Sequence, residues 1–268
     1  MSKVIAIANQ KGGVGKTTTA VNLSAGLAIK GYRTLLVDLD SQRNATQTFF
    51  DTEQISTTLA DVLVGHDNRL PLAEARYATH IENLDLIPSH IRIAMLDKMA
   101  TLEEQYRLKK ALDSLPEPYD FVLLDCPHTL GMTLTQALLA SRYVLVPIAA
   151  EYYPLEGVSD LLDTVTAAQT PNPGLSVLGY LVTRFHQRKR VCAEALTKVQ
   201  QLYGPEVFET VIRDNTALTI APAYKLSIYE HAAKSSGSED YENLTEEILG
   251  RLEMHSHLRP VASKEAVS

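Results

Sequence analysis

A run of glycines and lysines near the start of the chain, Lys11, Gly12, Gly13, Val14, Gly15, Lys16, Thr17 and Thr18, has the make-up of a loop that holds phosphate. It follows the apolar stretch VIAIA at 4–8 and precedes a stretch of helical spacing at 17–30. That strand–loop–helix context is what such a loop requires. Glycines let the backbone turn tightly and aim successive N–H groups at phosphate oxygens, while the following helix N-terminus adds donors and a favourable dipole. Lys16 then neutralises the β and γ phosphates of a nucleotide, and the Thr17 hydroxyl is placed to bind Mg2+. The common pattern GxxxxGK[ST] is not met, because Gln10 stands at its first glycine and a second lysine, Lys11, lies five residues before Lys16.

Carboxylates complete this chemistry. TLLVDLD at 34–40 ends in Asp38 and Asp40, and FVLLD at 121–125 ends in Asp125. In open α/β sheets ligands collect at the carboxyl ends of strands, where one carboxylate can hold Mg2+ directly or through water and another can orient an attacking water. An aspartate at a strand end also serves as a turn or helix cap. Three of them beside a phosphate loop converge on a phosphoryl-transfer site.

The elements that must position these residues follow from periodicity. Short β-branched runs recur at 4–8, 34–40, 84–88, 121–125, 143–148 and 175–183, and most of them read as buried strands. Helical spacing fills 17–30, 102–115, 133–141, 155–168 and 192–203. Strands alternating with helices predict an α/β fold: a single domain with a mostly parallel sheet and helices on both faces. No repeat or low-complexity linker divides the chain. At 239–253 Tyr241, Leu244, Ile248, Leu249 and Leu252 share one helical face, with acidic residues opposite. The expected division is therefore a domain at 1–253 and a mobile tail at 254–268.

Hydrophobic residues make up 45% of the 268 residues and charged residues 21%, enough to build a core and too apolar for general disorder. The net charge of -7 argues against a uniformly cationic surface, so any basic face must be local. No window approaches the ~18 apolar residues of a membrane span, and the apolar run at the start is too short for a signal peptide. Cys126 and Cys192 have no CxxC partner and His128, His186 and His231 lack metal spacing. A soluble, cytoplasmic protein is expected.

Taken in order, KGGVGKTTTAVNLSAGLA, LLVDLDSQRNAT, FVLLDCPHTLG and VPIAAEYYPLEGVSDLL resemble the successive signature blocks of the ParA/Soj partitioning ATPases of the ParA/MinD superfamily. These blocks span 11–162, and a weaker match continues at 211–223 and 234–241. The resemblance implies a P-loop NTPase with a deviant Walker A motif, ATP and Mg2+ as cofactors, and hydrolysis of ATP to ADP and phosphate. It also implies an ATP-dependent homodimer sandwiching two nucleotides, with Lys11 reaching across to the nucleotide of the other subunit. A cation supplied in trans contributes on the order of 10³ to 10⁵ in rate in arginine-finger systems. By the same resemblance Asp40 positions the attacking water, Asp38 and Asp125 are magnesium-site carboxylates, and Thr18 contacts the α phosphate. The family commonly reads DLDPQGNAT; here Ser41 and Arg43 replace the proline and glycine, which constrains that loop differently.

ATPases of this kind bind double-stranded DNA without sequence preference, associate with the nucleoid, and hydrolyse ATP under stimulation by a ParB-like or adaptor protein while positioning a plasmid, chromosome or carboxysome. The matching cations here are Arg184, Arg188, Lys189 and Arg190 in RFHQRKR, with Lys225 and Lys234 as additions. Clustering against an acidic whole suits contact with a phosphate backbone, although a solvated face has the same composition. Relatives carry an arginine where Ala217 stands, so the surface is expected to be weaker or shifted. Tyr152 and Tyr153 are expected to pack near a helix start or line the dimer surface. A MinD-like membrane-associated ATPase, the alternative, needs a basic amphipathic C-terminal helix, and the helix at 239–253 is acidic. A relative of nitrogenase iron protein would need cluster cysteines, which Cys126 and Cys192 do not supply.

Overall fold

The computed structural model describes residues 2–65, 69–98, 101–151, 155 and 157–257. Tyr152 and Tyr153 lie outside the described residues, as do positions 258–268 of the expected tail.

Seven strands form one sheet: β1 (Lys3–Ile7), β2 (Thr34–Asp38), β3 (Tyr77–Ala78), β4 (Leu84–Ile87), β5 (Phe121–Asp125), β6 (Tyr143–Ala149) and β7 (Ser176–Thr183). Their order is β3-β4-β2-β5-β1-β6-β7, parallel throughout except for β3, which runs antiparallel to β4. The helices are α1 (Lys16–Ile29), α2 (Asn44–Phe49), α3 (Leu59–Leu63), α4 (Leu102–Gln105), α5 (Arg107–Asp113), α6 (Met132–Ala140), α7 (Val158–Gln169), α8 (Arg190–Tyr203), α9 (Thr216–Ile220), α10 (Ile228–His231) and α11 (Ser236–His257).

The single α/β domain expected from periodicity is present, and its logic is alternation. Successive strand residues point to opposite faces. Ile5 and Ile7 join Leu36, Leu123 and Leu145 under α1 and α11, while Ala6 and Ala8 join Val37, Leu124 and Val146 under α6, α7 and α8. A sheet covered on both sides must be apolar on both sides, which is why its strands read as unbroken hydrophobic runs. Each fully buried Leu or Ile contributes about 1.5–3 kcal/mol.

The structure departs from expectation at several ends. The stretch 102–115 is two helices, α4 and α5, broken at Tyr106. The helix expected from 155 begins at Val158, after Gly157 in the left-handed region at φ 78°. The last helix runs to His257, so the first four residues of the expected tail are helical. β3, an edge strand of two residues, is too short to show a period of two.

Chain order reverses where β1 meets β5. From β1 the chain crosses over β5 to β2, and from β5 it crosses over β1 to β6. The crevice at such a switch point, beyond the carboxyl ends of the strands, is where α/β sheets hold ligands. The loop after β1 and Asp125 at the end of β5 both open onto it.

Candidate nucleotide site

The loop between β1 and α1 is shaped by the protein's own hydrogen bonds and glycine dihedrals. Asn9 donates from Nδ2 to Pro147 O (2.7 Å) and accepts Lys11 N on Oδ1 (2.9 Å), which turns the chain out of the sheet. Gly13 and Gly15 then take φ of 73° and 86°, a region that side chains with a Cβ enter at a cost of about 1–2 kcal/mol. Thr183, at the end of β7, donates its hydroxyl to Val14 O (2.8 Å) and pins the loop from outside. The first helical bond is Thr19 N to Gly15 O (2.9 Å), so the amides of Lys16, Thr17 and Thr18 head α1 without intrahelical carbonyls.

Lys16 is buried, and its ammonium donates to Lys11 O (3.0 Å), bridging the mouth of the loop. Burial lowers its pKa, while Asp125, Cys126 and Asp40 pull the other way. Lys11 turns aside to Glu151, Nζ to Oε2 at 3.1 Å. The other oxygen of Glu151 faces Arg184 Nη1 at 3.6 Å.

Asp38 and Asp125 are register partners at the ends of the adjacent strands β2 and β5. Both are fully buried, yet they are used differently. Asp38 accepts Asp40 N on Oδ1 (3.1 Å) and both the amide and the hydroxyl of Thr46 on Oδ2 (2.8 and 2.7 Å), so it fastens α2 to the sheet. Burial pushes its pKa up to about 6 against these hydrogen bonds. Neither oxygen of Asp125 has a hydrogen-bond partner. Burial and the neighbouring Asp38 charge raise its pKa well above the carboxylate range; the Thr17 hydroxyl, close by but outside hydrogen-bonding geometry, and Lys16 offset this only in part.

A buried, unpaired carboxylate is costly unless a cation faces it. Asp125 beside the Thr17 hydroxyl therefore fits a magnesium ion. Mg2+ is commonly held by one or two carboxylates together with substrate phosphates, and Asp125 can supply one such carboxylate. Asp40 lies on the cleft wall, its Oδ1 accepting Gln42 N (2.9 Å). Arg43, at the position where a glycine is common in the ParA/Soj pattern, takes φ 60°.

The cleft above the loop has a volume of about 840 Å³ and runs from Gly12, Lys16 and Asp40 to a far wall that includes Asn215 and Pro222. That wall is braced from α11. Arg213 forks onto Asp240, with Nη2 to Oδ1 at 2.6 Å, and Tyr241 meets the Thr19 hydroxyl at 3.2 Å.

Of the cations expected on one surface, the structure keeps only some together. Arg188, Lys189 and Arg190 are exposed in the turn after β7, and Arg190 pairs with Glu194 one helical turn on. Arg184 does not join them: its left-handed backbone, φ 53°, directs Nη1 back to Gly13 O (3.3 Å) and Glu151. Lys225 does not join them either, because its ammonium caps the end of α2, donating to Gln47 O (2.8 Å) and Phe50 O (3.2 Å) beside Asp51 (3.2 Å). Ala217 is half-buried in α9. Sequence reasoning missed Asn9, Thr46, Glu151 and Thr183. Asn9, Glu151 and Thr183 signal only by polarity next to a strand end, which is common to many loops, and Thr46 lies in a six-residue helix with no motif of its own.

A family model described as an AAA domain matches residues 2–177. The chain is 39% identical over 252 residues to the sporulation initiation inhibitor protein Soj of Bacillus subtilis, covering 92% of this chain and 98% of that one. It is 36% identical over 266 residues to the chromosome partitioning protein ParA of Myxococcus xanthus, covering 98% and 93%. Among solved structures, cobyrinic acid a,c-diamide synthase from Mycobacterium smegmatis with a bound ATP analogue and magnesium superimposes with a TM-score of 0.82 at 30% identity, covering 95% of this chain and 97% of that one. With the phosphate loop, the paired strand-end aspartates and this likeness along nearly its whole length, the chain belongs to the ParA/Soj family.

Proposed function

We propose that this protein is a magnesium-dependent ATPase that dimerises around two ATP molecules, binds double-stranded DNA without sequence preference, and positions a cargo with a partner protein that stimulates hydrolysis. The observation that carries the ATPase reading is the carboxylate of Asp125, buried and unpaired beneath a loop whose own lysine is buried.

The phosphate loop presents its amides and Lys16 to the β and γ phosphates, with Lys16 leaving Lys11 O to do so. Thr17 and Asp125 would hold Mg2+, with Asp38 behind them keeping α2 in place. Bound there, the ion neutralises charge on the phosphates. Asp40 orients the attacking water from the cleft wall. Lys11 serves the nucleotide of the other subunit, so its pairing with Glu151 has to open as the dimer forms. Arg188, Lys189 and Arg190 supply the DNA contacts, and doubling this patch in a dimer makes DNA binding depend on ATP. Such a protein works in the cytoplasm on the nucleoid.

One experiment tests the scheme. With ATP and Mg2+, Asp40→Ala should accumulate a dimer by light scattering with turnover lowered by about 10² or more. Lys11→Ala should bind ATP as a monomer without turnover. A Lys11→Ala protein that dimerises and hydrolyses normally would sink the trans-lysine role, and normal hydrolysis by Asp40→Ala would move the water-orienting role elsewhere.

A further inference from the structure

Lys225 lines the cleft and reaches across to the end of α2. It follows the turn Ala221–Tyr224 and takes a left-handed backbone, φ 61°. Its ammonium has three N–H donors, and three acceptors surround it: Gln47 O at 2.8 Å, Phe50 O at 3.2 Å and Asp51 Oδ1 at 3.2 Å. Two of these are carbonyls at the C-terminal end of α2, where helix carbonyls lack partners and the dipole favours a cation. Three residues on, Ile228 N donates to Asn22 Oδ1 (2.8 Å), and Asn22 Nδ2 donates in turn to Thr18 O (2.8 Å) in α1. One short segment is thus fastened on one side to the helix that follows Asp40 and on the other to the helix that carries the phosphate loop.

We infer that Lys225 is a positioning residue for hydrolysis: by holding the end of α2 it fixes the Asp40 loop against the phosphate loop across the cleft. The inference rests on the proposed role of Asp40. At its other end α2 is tied through Thr46 to Asp38 and to Ser89 N, and Ala45 and Phe49 pack into the core; its length is six residues, too short to be stable alone. With the ammonium gone, the C-terminal carbonyls of α2 lose their cation, and that end of the helix keeps only its apolar packing through Phe49. Phosphate binding, built by 11–18, stays intact, so the effect falls on turnover. Misplacing a catalytic group by about 1 Å costs up to roughly 10²-fold.

The test is steady-state ATP hydrolysis by the full chain without DNA, beside ATP affinity by calorimetry and binding to random duplex DNA over a salt series. Lys225→Met should lower kcat about tenfold with ATP affinity within about twofold. Lys225→Arg, which can still cap carbonyls, should recover most of the loss. Asp51→Asn, on the exposed side, should give a smaller loss in the same direction and stands in if Lys225→Met fails to fold. In an Asp40→Ala background Lys225→Met should cost nothing more, because two residues acting through one group are not additive. Unchanged kcat in Lys225→Met, a loss confined to ATP affinity, or a lower Tm with normal kcat would overturn the inference. So would a DNA salt slope flattened by about 0.9, the share of one phosphate, with turnover intact. Normal turnover by Lys225→Met beside an inactive Asp40→Ala removes the inference alone; normal turnover by Asp40→Ala removes both.

Discussion

Two cation-bearing segments stand at the carboxyl edge of the sheet, the phosphate loop and the turn after β7, and they are built in opposite ways. In the loop Lys16 is 8% exposed and held by a main-chain carbonyl; where the turn runs into α8 the Arg190 side chain is 92% exposed and pairs with its helical neighbour Glu194. The first has geometry imposed by strand ends, glycine dihedrals and threonine hydroxyls. The second has charge without a frame. A framed cation acts all or none, because its burial is tolerable only with the right partner in place. Unframed cations add up, are screened by salt, and can be exchanged for one another.

The largest expected effect tests the framed side. Lys16→Ala should weaken ATP binding by on the order of 100-fold, the value of a charge-assisted contact of about 1.5–3 kcal/mol, and calorimetry would read it. Lys16→Arg should do no better, since the loop accommodates one point charge. An arginine that restored affinity would place Lys16 in the same class as the exposed turn.

Next come the turn cations. Arg188→Glu with Arg190→Glu should flatten the slope of log affinity against log salt for random duplex DNA by nearly 2, about 0.9 per phosphate, with ATP affinity unchanged. Restoring arginine at Ala217 should tighten binding if charges on this surface simply add. A double variant with an unaltered slope would mean that the turn is solvated and nothing more.

A smaller effect lies in pH. Asp38, pushed up to about 6, and Asp125, raised further by burial and by Asp38, bind protons more tightly folded than unfolded. Stability of the nucleotide-free protein should therefore fall as pH rises from about 4 through 6 and beyond, the reverse of a salt-bridged carboxylate. Thermal melting should show a higher Tm at pH 5 than at pH 7.5. Asp125→Asn should remove part of that difference and abolish stabilisation by Mg2+ with nucleotide. A Tm rising with pH would contradict the unpaired carboxylate.

The smallest effect concerns backbone. Arg43 holds a left-handed φ of 60°, a conformation that suits glycine, and Arg43→Gly should gain up to about 1 kcal/mol in urea unfolding. A loss would show that the Arg43 side chain contributes more than its backbone costs.

Much of this was legible from residue order alone. The six apolar runs are strands, because burial on both faces leaves no room for polar interruption, and the glycine spacing at 12–15 marks a loop that few other structures need. Asp38, Asp40 and Asp125 could be placed at strand ends. That Asp38 is tied to Thr46 while Asp125 is left bare depends on α2, whose six residues are too few to show a helical period. The contacts of Arg184 and Lys225 could not be read from the sequence, because a long cation's destination depends on its φ and on carbonyls 171 and 178 residues away. Neither is written in a local pattern.

The position of β1 between β5 and β6 bears on how the protein is made. β1 and the phosphate loop are translated before the strands that flank them, which lie, with the Pro147 carbonyl that receives Asn9, more than a hundred residues downstream. At roughly 5–20 residues per second, the nascent loop waits on the order of ten seconds for its neighbours. Until β6 has left the ribosome it cannot hold nucleotide, so a chain truncated before 149 should emerge with the whole KGGVGKT sequence and no capacity to bind ATP.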